Sequence, residues 1–292
     1  MLVPMKTILD EAYQNHYGVP ALPAYNETLV RAAIEAAAQA RSPVILLMSN
    51  EGDPYFICLT ARYFAEKYDV DTAICLDHSR TFEDSVLGIR MGVTAIMADR
   101  STLPYKDNAG QVRELAQIAH AAGISIEGEL GHVGVGLRYD RDGSSALTEP
   151  DSAKRYFEDT GVDALAVAIG TAHGVYAGVP KLDFGRLAEI NDACGRPLAL
   201  HGGSGSGEDN INRACKMGVA KVNIVTDVLT AARGAALDGD FSGNAVHRFF
   251  PALHEAAFAS ALHMFSVTGS AGMARTQRRA VMPARSADTS EV

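Results

Sequence analysis

Short apolar runs alternate along the chain with segments in which apolar residues recur every three or four positions. The runs are VPALPAY (19–25), PVILLMS (43–49), TAICLDH (72–78), TAIMADRS (94–101), SIEGELGHV (125–133), ALAVAIGTAH (164–173), PLALHGGSG (197–205) and KVNIVTD (221–227). Each has the length of a strand. Near-continuous apolar character means burial on both faces, the condition of a parallel strand wrapped by helices. Between the runs, ETLVRAAIEAAAQAR (27–41) and EDNINRACKMG (208–218) show the period of amphipathic helices. Eight strands alternating with helices predict an α/β protein, a (β/α)8 TIM barrel, as a single domain over residues 1–275. From about Arg275 the chain reads basic and then small and polar, without either period, which predicts a flexible C-terminal tail over 276–292.

Composition narrows the partners. With 26 basic and 35 acidic residues, a net charge of −9, nucleic acid and anionic membrane are not expected partners. The four cysteines, Cys58, Cys75, Cys194 and Cys215, form no CxxC pair, which fits a reducing cytoplasm. The opening MLVPMKTILDEAYQ lacks an apolar leader, and no run of about 18 apolar residues occurs, so neither secretion nor membrane spanning is expected.

Chemistry in such a barrel gathers where strands end. Here the apolar runs break into Asp77-His78, His173-Gly174 and His201-Gly202-Gly203. One histidine at a strand end is usually structural, but three converging imidazoles can hold a zinc ion and leave a position open for substrate. Among the other histidines, only His132, just past a strand end, is kept as an extra candidate. Asp77 adjoins a candidate ligand and is the better placed proton carrier. Asp99 and Glu129 end two further strands, where a role near the metal and a hydrogen bond to the barrel rim are equally open. The loop HGGSGSG (201–207) precedes a helix and can offer amides to one anion, with Asn223 and Thr226 adding neutral donors.

The segments CLDHS (75–79), MADRSTLP (97–104), EGELG (127–131), TGVDALAVAIGTAHGVYAGVPKLDF (160–184), LHGGSG (200–205) and GVAKVNIVTD (218–227) resemble, in order and spacing, the zinc-dependent class II fructose-bisphosphate and tagatose-bisphosphate aldolases. That resemblance implies zinc on His78, His173 and His201, with Asp77 moving the proton of the hydroxyl at the cleaved bond. It implies Asp99 and Glu129 beside the metal or as alternative ligands. It also places the phosphate of dihydroxyacetone phosphate on Gly174, Gly202, Ser204, Asn223 and Thr226. A monovalent cation, Na+ or K+, and a homodimer or homotetramer acting on a phosphorylated sugar are further expectations of the family.

Departures fall on the other half of the substrate. The family's acidic pair in the loop after the fifth strand, a pattern like GGxED, is missing from GHVGVGLRYDRDGSSALTEP (131–150), leaving Asp140, Asp142 or a metal-bound water as its replacement. The family serine of SEG is Asn50, DGS has become Asp99-Arg100-Ser101, and a basic residue of the last helix falls near Leu262. Loss of a guanidinium weakens the grip on a second phosphate, for which Arg100 or Arg138 would have to compensate. The expected reaction is cleavage or formation of a ketose 1-phosphate or 1,6-bisphosphate with an altered aldehyde partner. A lyase of a deoxy-sugar or acidic sugar phosphate, and a non-catalytic binding or assembly subunit, are the alternatives.

Overall fold

The computed structural model describes residues 1–49, 53–133 and 147–275. Helix α1 (Met5–Gln14) is followed by β1 (Val19–Pro23), α2 (Glu27–Ala40), β2 (Val44–Met48), α3 (Pro54–Tyr68), β3 (Thr72–Ser79), α4 (Phe82–Met91), β4 (Ala95–Ala98) and α5 (Tyr105–Ala121). Then come β5 (Ser125–Leu130), α6 (Pro150–Thr160), β6 (Ala164–Val167), α7 (Phe184–Cys194), β7 (Leu198–Leu200), α8 (Glu208–Lys216), β8 (Val219–Asn223) and α9 (Thr226–Asp238). A 3₁₀ turn over Gly243–Arg248 leads into α10 (Phe249–Val267). All neighbouring strands pair in parallel in chain order, and β8 closes on β1 with Val19, Pro20 and Ala21 opposite Lys221, Val222 and Asn223. The chain is a (β/α)8 barrel.

Strand alternation sorts the apolar residues into two layers. Ile45, Leu47, Ala73, Cys75, Ala95, Met97 and Ala164 fill the barrel interior, while Leu46, Ile74, Leu76 and Ile96 face the surrounding helices. Met5, Ile8, Leu9 and Ala12 of α1 join the interior cluster, and Lys6 N–H donates to Ser125 Oγ at the start of β5. Helix α1 therefore caps the N-terminal end of the barrel. Among the described residues no helix is long and apolar enough to cross a membrane.

Several strands are shorter than their apolar runs. β6 stops at Val167 and not at His173, because its partner β7 is only three residues long and pairs with Leu165 and Ala166 alone. Ala168 to Ala172 remain buried without belonging to the sheet, so the apolar pattern reports burial there and not ladder membership. Asp99 lies one residue beyond β4, and Thr226 opens α9 instead of ending β8.

Candidate active site

β3 delivers two adjacent side chains to the open end of the barrel. Asp77 continues the inward series Ala73, Cys75, but strict alternation would turn His78 outward. His78 instead has a left-handed backbone, φ 50°, and the β3–β4 register shifts between Leu76 and Ser79. That irregularity re-aims the imidazole into the mouth, a device that costs strain and is found next to functional sites. Asn223, the last residue of β8, points its amide at both carboxylate oxygens of Asp77, 3.4 Å from each.

His78, His173 and His201 meet there, each offering a ring nitrogen within 4.8 Å of the others. His78 Nδ1 lies 2.9 Å from Asp99 Oδ2, whose other oxygen accepts from the Ser101 hydroxyl at 2.8 Å. Burial opposes charge on His78, yet Asp99, with Asp77 and Glu129 nearby, raises its pKa to about 9; against its own burial, the Asp99 carboxyl is held well below the usual range by His78 and Ser101. For His173, burial and then repulsion from the other two imidazoles push the pKa down to about 4. His173 Nε2, His201 Nδ1 and Glu129 Oε2 are all buried without a hydrogen-bond partner. Glu129 Oε2 is 3.9 Å from His78 Nδ1 and 3.8 Å from His201 Nδ1. Several unpaired lone pairs converging in one buried place are costly, and a metal cation is the species that satisfies them together.

Behind His201 stands a fully buried ion pair. Glu127 Oε1 accepts from His201 Nε2 at 2.8 Å, and Lys221 Nζ lies 3.0 and 2.8 Å from its two oxygens. Burial alone would raise the Glu127 carboxyl, but Lys221 and His201 hold it down at about 2. An ionised carboxylate can only accept, so the His201 proton sits on Nε2 and the Nδ1 lone pair faces the site.

The loops that carry His173 and His201 press backbone against backbone. Gly202 has φ 66°, and a Cβ there would lie 2.2 Å from Ala172 O, so only glycine fits. Next to it, Ser204 Oγ accepts from Asp227 N–H in the first turn of α9, and Gly205 N–H is taken by Asp227 Oδ2. Ser204, Asn223 and Thr226 thus lie at or next to the start of α9, whose amides and polarity favour an anion, while Gly202 packs on Ala172 and Gly174 follows His173.

A family profile, fructose-bisphosphate aldolase class II, matches residues 3–273. The chain belongs to the class II fructose-bisphosphate aldolase family. It is 29% identical to the YdjI aldolase of Escherichia coli K12, with a TM-score of 0.85, over 94% of this chain and all of that one. The fructose-bisphosphate aldolase of Campylobacter jejuni shares the fold at 21% identity, with a TM-score of 0.75, over 92% of this chain and 96% of that one. The protein is accordingly an aldolase, a carbon–carbon lyase.

Not every expected residue of this aldolase lies where the sequence suggested. Arg100 is a correction: it is 3% exposed, and its guanidinium donates to Ser79 O at 2.7 Å, Asp99 O at 2.9 Å and Gln111 Oε1 at 2.8 Å. It braces the ends of β3 and β4 from within the barrel wall, its guanidinium bonded to protein groups. His132 reaches the rim of the site through Ser101 Oγ at 3.2 Å. Asn50, Arg138, Asp140, Asp142 and the segment 276–292 lie outside the described residues. Sequence reasoning missed Glu127 and Lys221, whose signal was a charged residue inside an otherwise apolar strand, a placement that demands a partner.

Proposed function

We propose that the aldolase is zinc-dependent and splits or joins ketose phosphates with dihydroxyacetone phosphate as the donor. The observation that carries this reading is the convergence of three imidazoles, two with buried unpaired nitrogens, directly beside Asp77. His78, His173 and His201 would hold the ion, with Glu129 next to it. When bound, zinc supplies Lewis-acid stabilisation of the negative charge that builds on the donor oxygens. In cleavage, Asp77 takes the proton of the hydroxyl at the breaking bond, and in condensation returns it to the aldehyde oxygen. Asn223 orients Asp77 for that transfer, and the cradle at the start of α9 fixes the donor phosphate. A monovalent cation near the phosphate and a homodimer or homotetramer, checked by sedimentation, complete the reading.

The commitment of Arg100 to the barrel wall supports an acceptor other than the usual phosphorylated triose. Zinc-loaded enzyme, dihydroxyacetone phosphate and a panel of aldehydes provide the test, with unphosphorylated aldehydes expected to react fastest. Cleavage of fructose or tagatose 1,6-bisphosphate with kcat/KM above about 10⁴ M⁻¹s⁻¹ overturns the acceptor assignment. For the roles at the centre, Asp77→Ala should keep stoichiometric zinc and lose most cleavage, whereas His201→Ala should lose the metal. Metal analysis showing the reverse exchanges those roles.

A further inference from the structure

We propose that Tyr176 is a positioning residue that straps the loop carrying His173 to the loop carrying His201, and so keeps the metal-holding and anion-holding halves of the site in register. One phenol oxygen makes both connections. It accepts from Ala172 N–H at 2.7 Å and donates to Gly202 C=O at 2.7 Å. Ala172 immediately precedes His173, and Gly202 immediately follows His201, so the strap lies one residue from each imidazole.

Three features make this bridge more than a surface contact. The two loops already meet at van der Waals limits, since a Cβ on Gly202 would lie 2.2 Å from Ala172 O and 3.1 Å from Ala172 N. β6 ends at Val167, leaving His173 six residues beyond the strand, held by an isolated bridge and not by a continuous ladder. The phenol therefore adds to that single bridge a directional restraint between the two loops. The Tyr176 ring also faces Gly205, on the glycine loop assigned to the phosphate, where a Cβ would lie 3.3 Å from the ring. A displacement of either loop is thereby felt at a metal ligand and at the anion cradle.

The inference rests on the metal-aldolase reading, and its test separates the two. Tyr176→Phe keeps the ring and removes the oxygen. In the zinc-loaded variant, competition with a chromophoric chelator should show zinc affinity lower by about 10–100-fold. Cobalt-substituted protein should show shifted visible bands, a mark of altered ligand geometry that a general loss of stability does not produce. Far-UV circular dichroism should match that of the parent. In the metal-free proteins, amide hydrogen exchange should quicken together in 170–174 and 201–205 while the barrel strands keep their protection. Zinc affinity within twofold of the parent with unchanged cobalt bands overturns the proposal, as does unchanged exchange in the two segments. A parent protein that binds no stoichiometric zinc removes the metal-aldolase reading, and the exchange measurement still decides whether Tyr176 couples the loops.

Discussion

Two histidines of the site each lean on a carboxylate, and the two pairs are built differently. His201 donates to Glu127, both fully buried, with the Lys221 ammonium behind them. His78 meets Asp99 at the rim, where the imidazole is 22% and the carboxylate 13% exposed, and the carboxylate is backed by a serine hydroxyl, with the Arg100 guanidinium bonded to the Asp99 backbone carbonyl and not to the carboxylate itself. Water can screen the outer pair, whereas the inner one is charge-balanced by the protein itself. The carboxylate sealed in the interior is thus held by a direct ion pair, whereas the one at the rim is held by a hydroxyl and solvent.

The sharpest way to break this contrast is Lys221→Met. It leaves the Glu127 carboxylate buried with only His201 as partner, at a cost of about 3–5 kcal/mol. For a chain of this size that is a fall in Tm of roughly 5–8 °C, read by calorimetry on metal-free protein. Replacing both members, Lys221→Met with Glu127→Met, should recover part of the loss, because no uncompensated charge remains. A single variant within about 2 °C of the parent contradicts the role given to the ammonium.

Asp99→Ala tests the outer pair and should cost less. With solvent at hand, the loss of the His78 partner is worth about 1–2 kcal/mol of stability. Its larger consequence is at the metal, where loosening one ligand should reduce zinc affinity by about 10–100-fold in calorimetric titration. Equal stability losses for Asp99→Ala and Lys221→Met would erase the distinction between the pairs.

The same contrast explains what was legible from residues alone. Eight strands and their alternation with helices were written in apolar periodicity, because burial on both faces dictates the residues of a parallel barrel. The three histidines stood out because polar residues interrupt those runs. Charge direction was not legible. Arg100 and Lys221 are both basic residues at or in a strand, and nothing local says that one turns into the wall and the other into the interior. Tyr176 depends on Gly202, a partner 26 residues away. His78 would have been turned away from the site by simple alternation, and only the left-handed backbone brings it back.

A third histidine–carboxylate pair, remote from the site, gives the smallest effect and serves as the reference. Glu35 on α2 lies 3.0 Å from His254 Nε2 on α10, and accepts from the Tyr68 hydroxyl at 2.5 Å and Arg31 Nε at 3.0 Å. Burial works against its charge, but His254, Tyr68 and Arg31 together hold its pKa at about 2 instead of the ordinary 4.5. A carboxyl depressed in the folded state adds stability that is complete above its unfolded pKa and drains away as pH falls toward the folded value. Glu35→Gln should therefore be less stable than the parent by on the order of 1 kcal/mol at pH 7, allowing for solvent screening. The gap should close as pH falls below about 4.5. Urea midpoints measured between pH 7 and pH 3 check the sign, and a gap that widens in acid shows that the pair is not held by the carboxylate form.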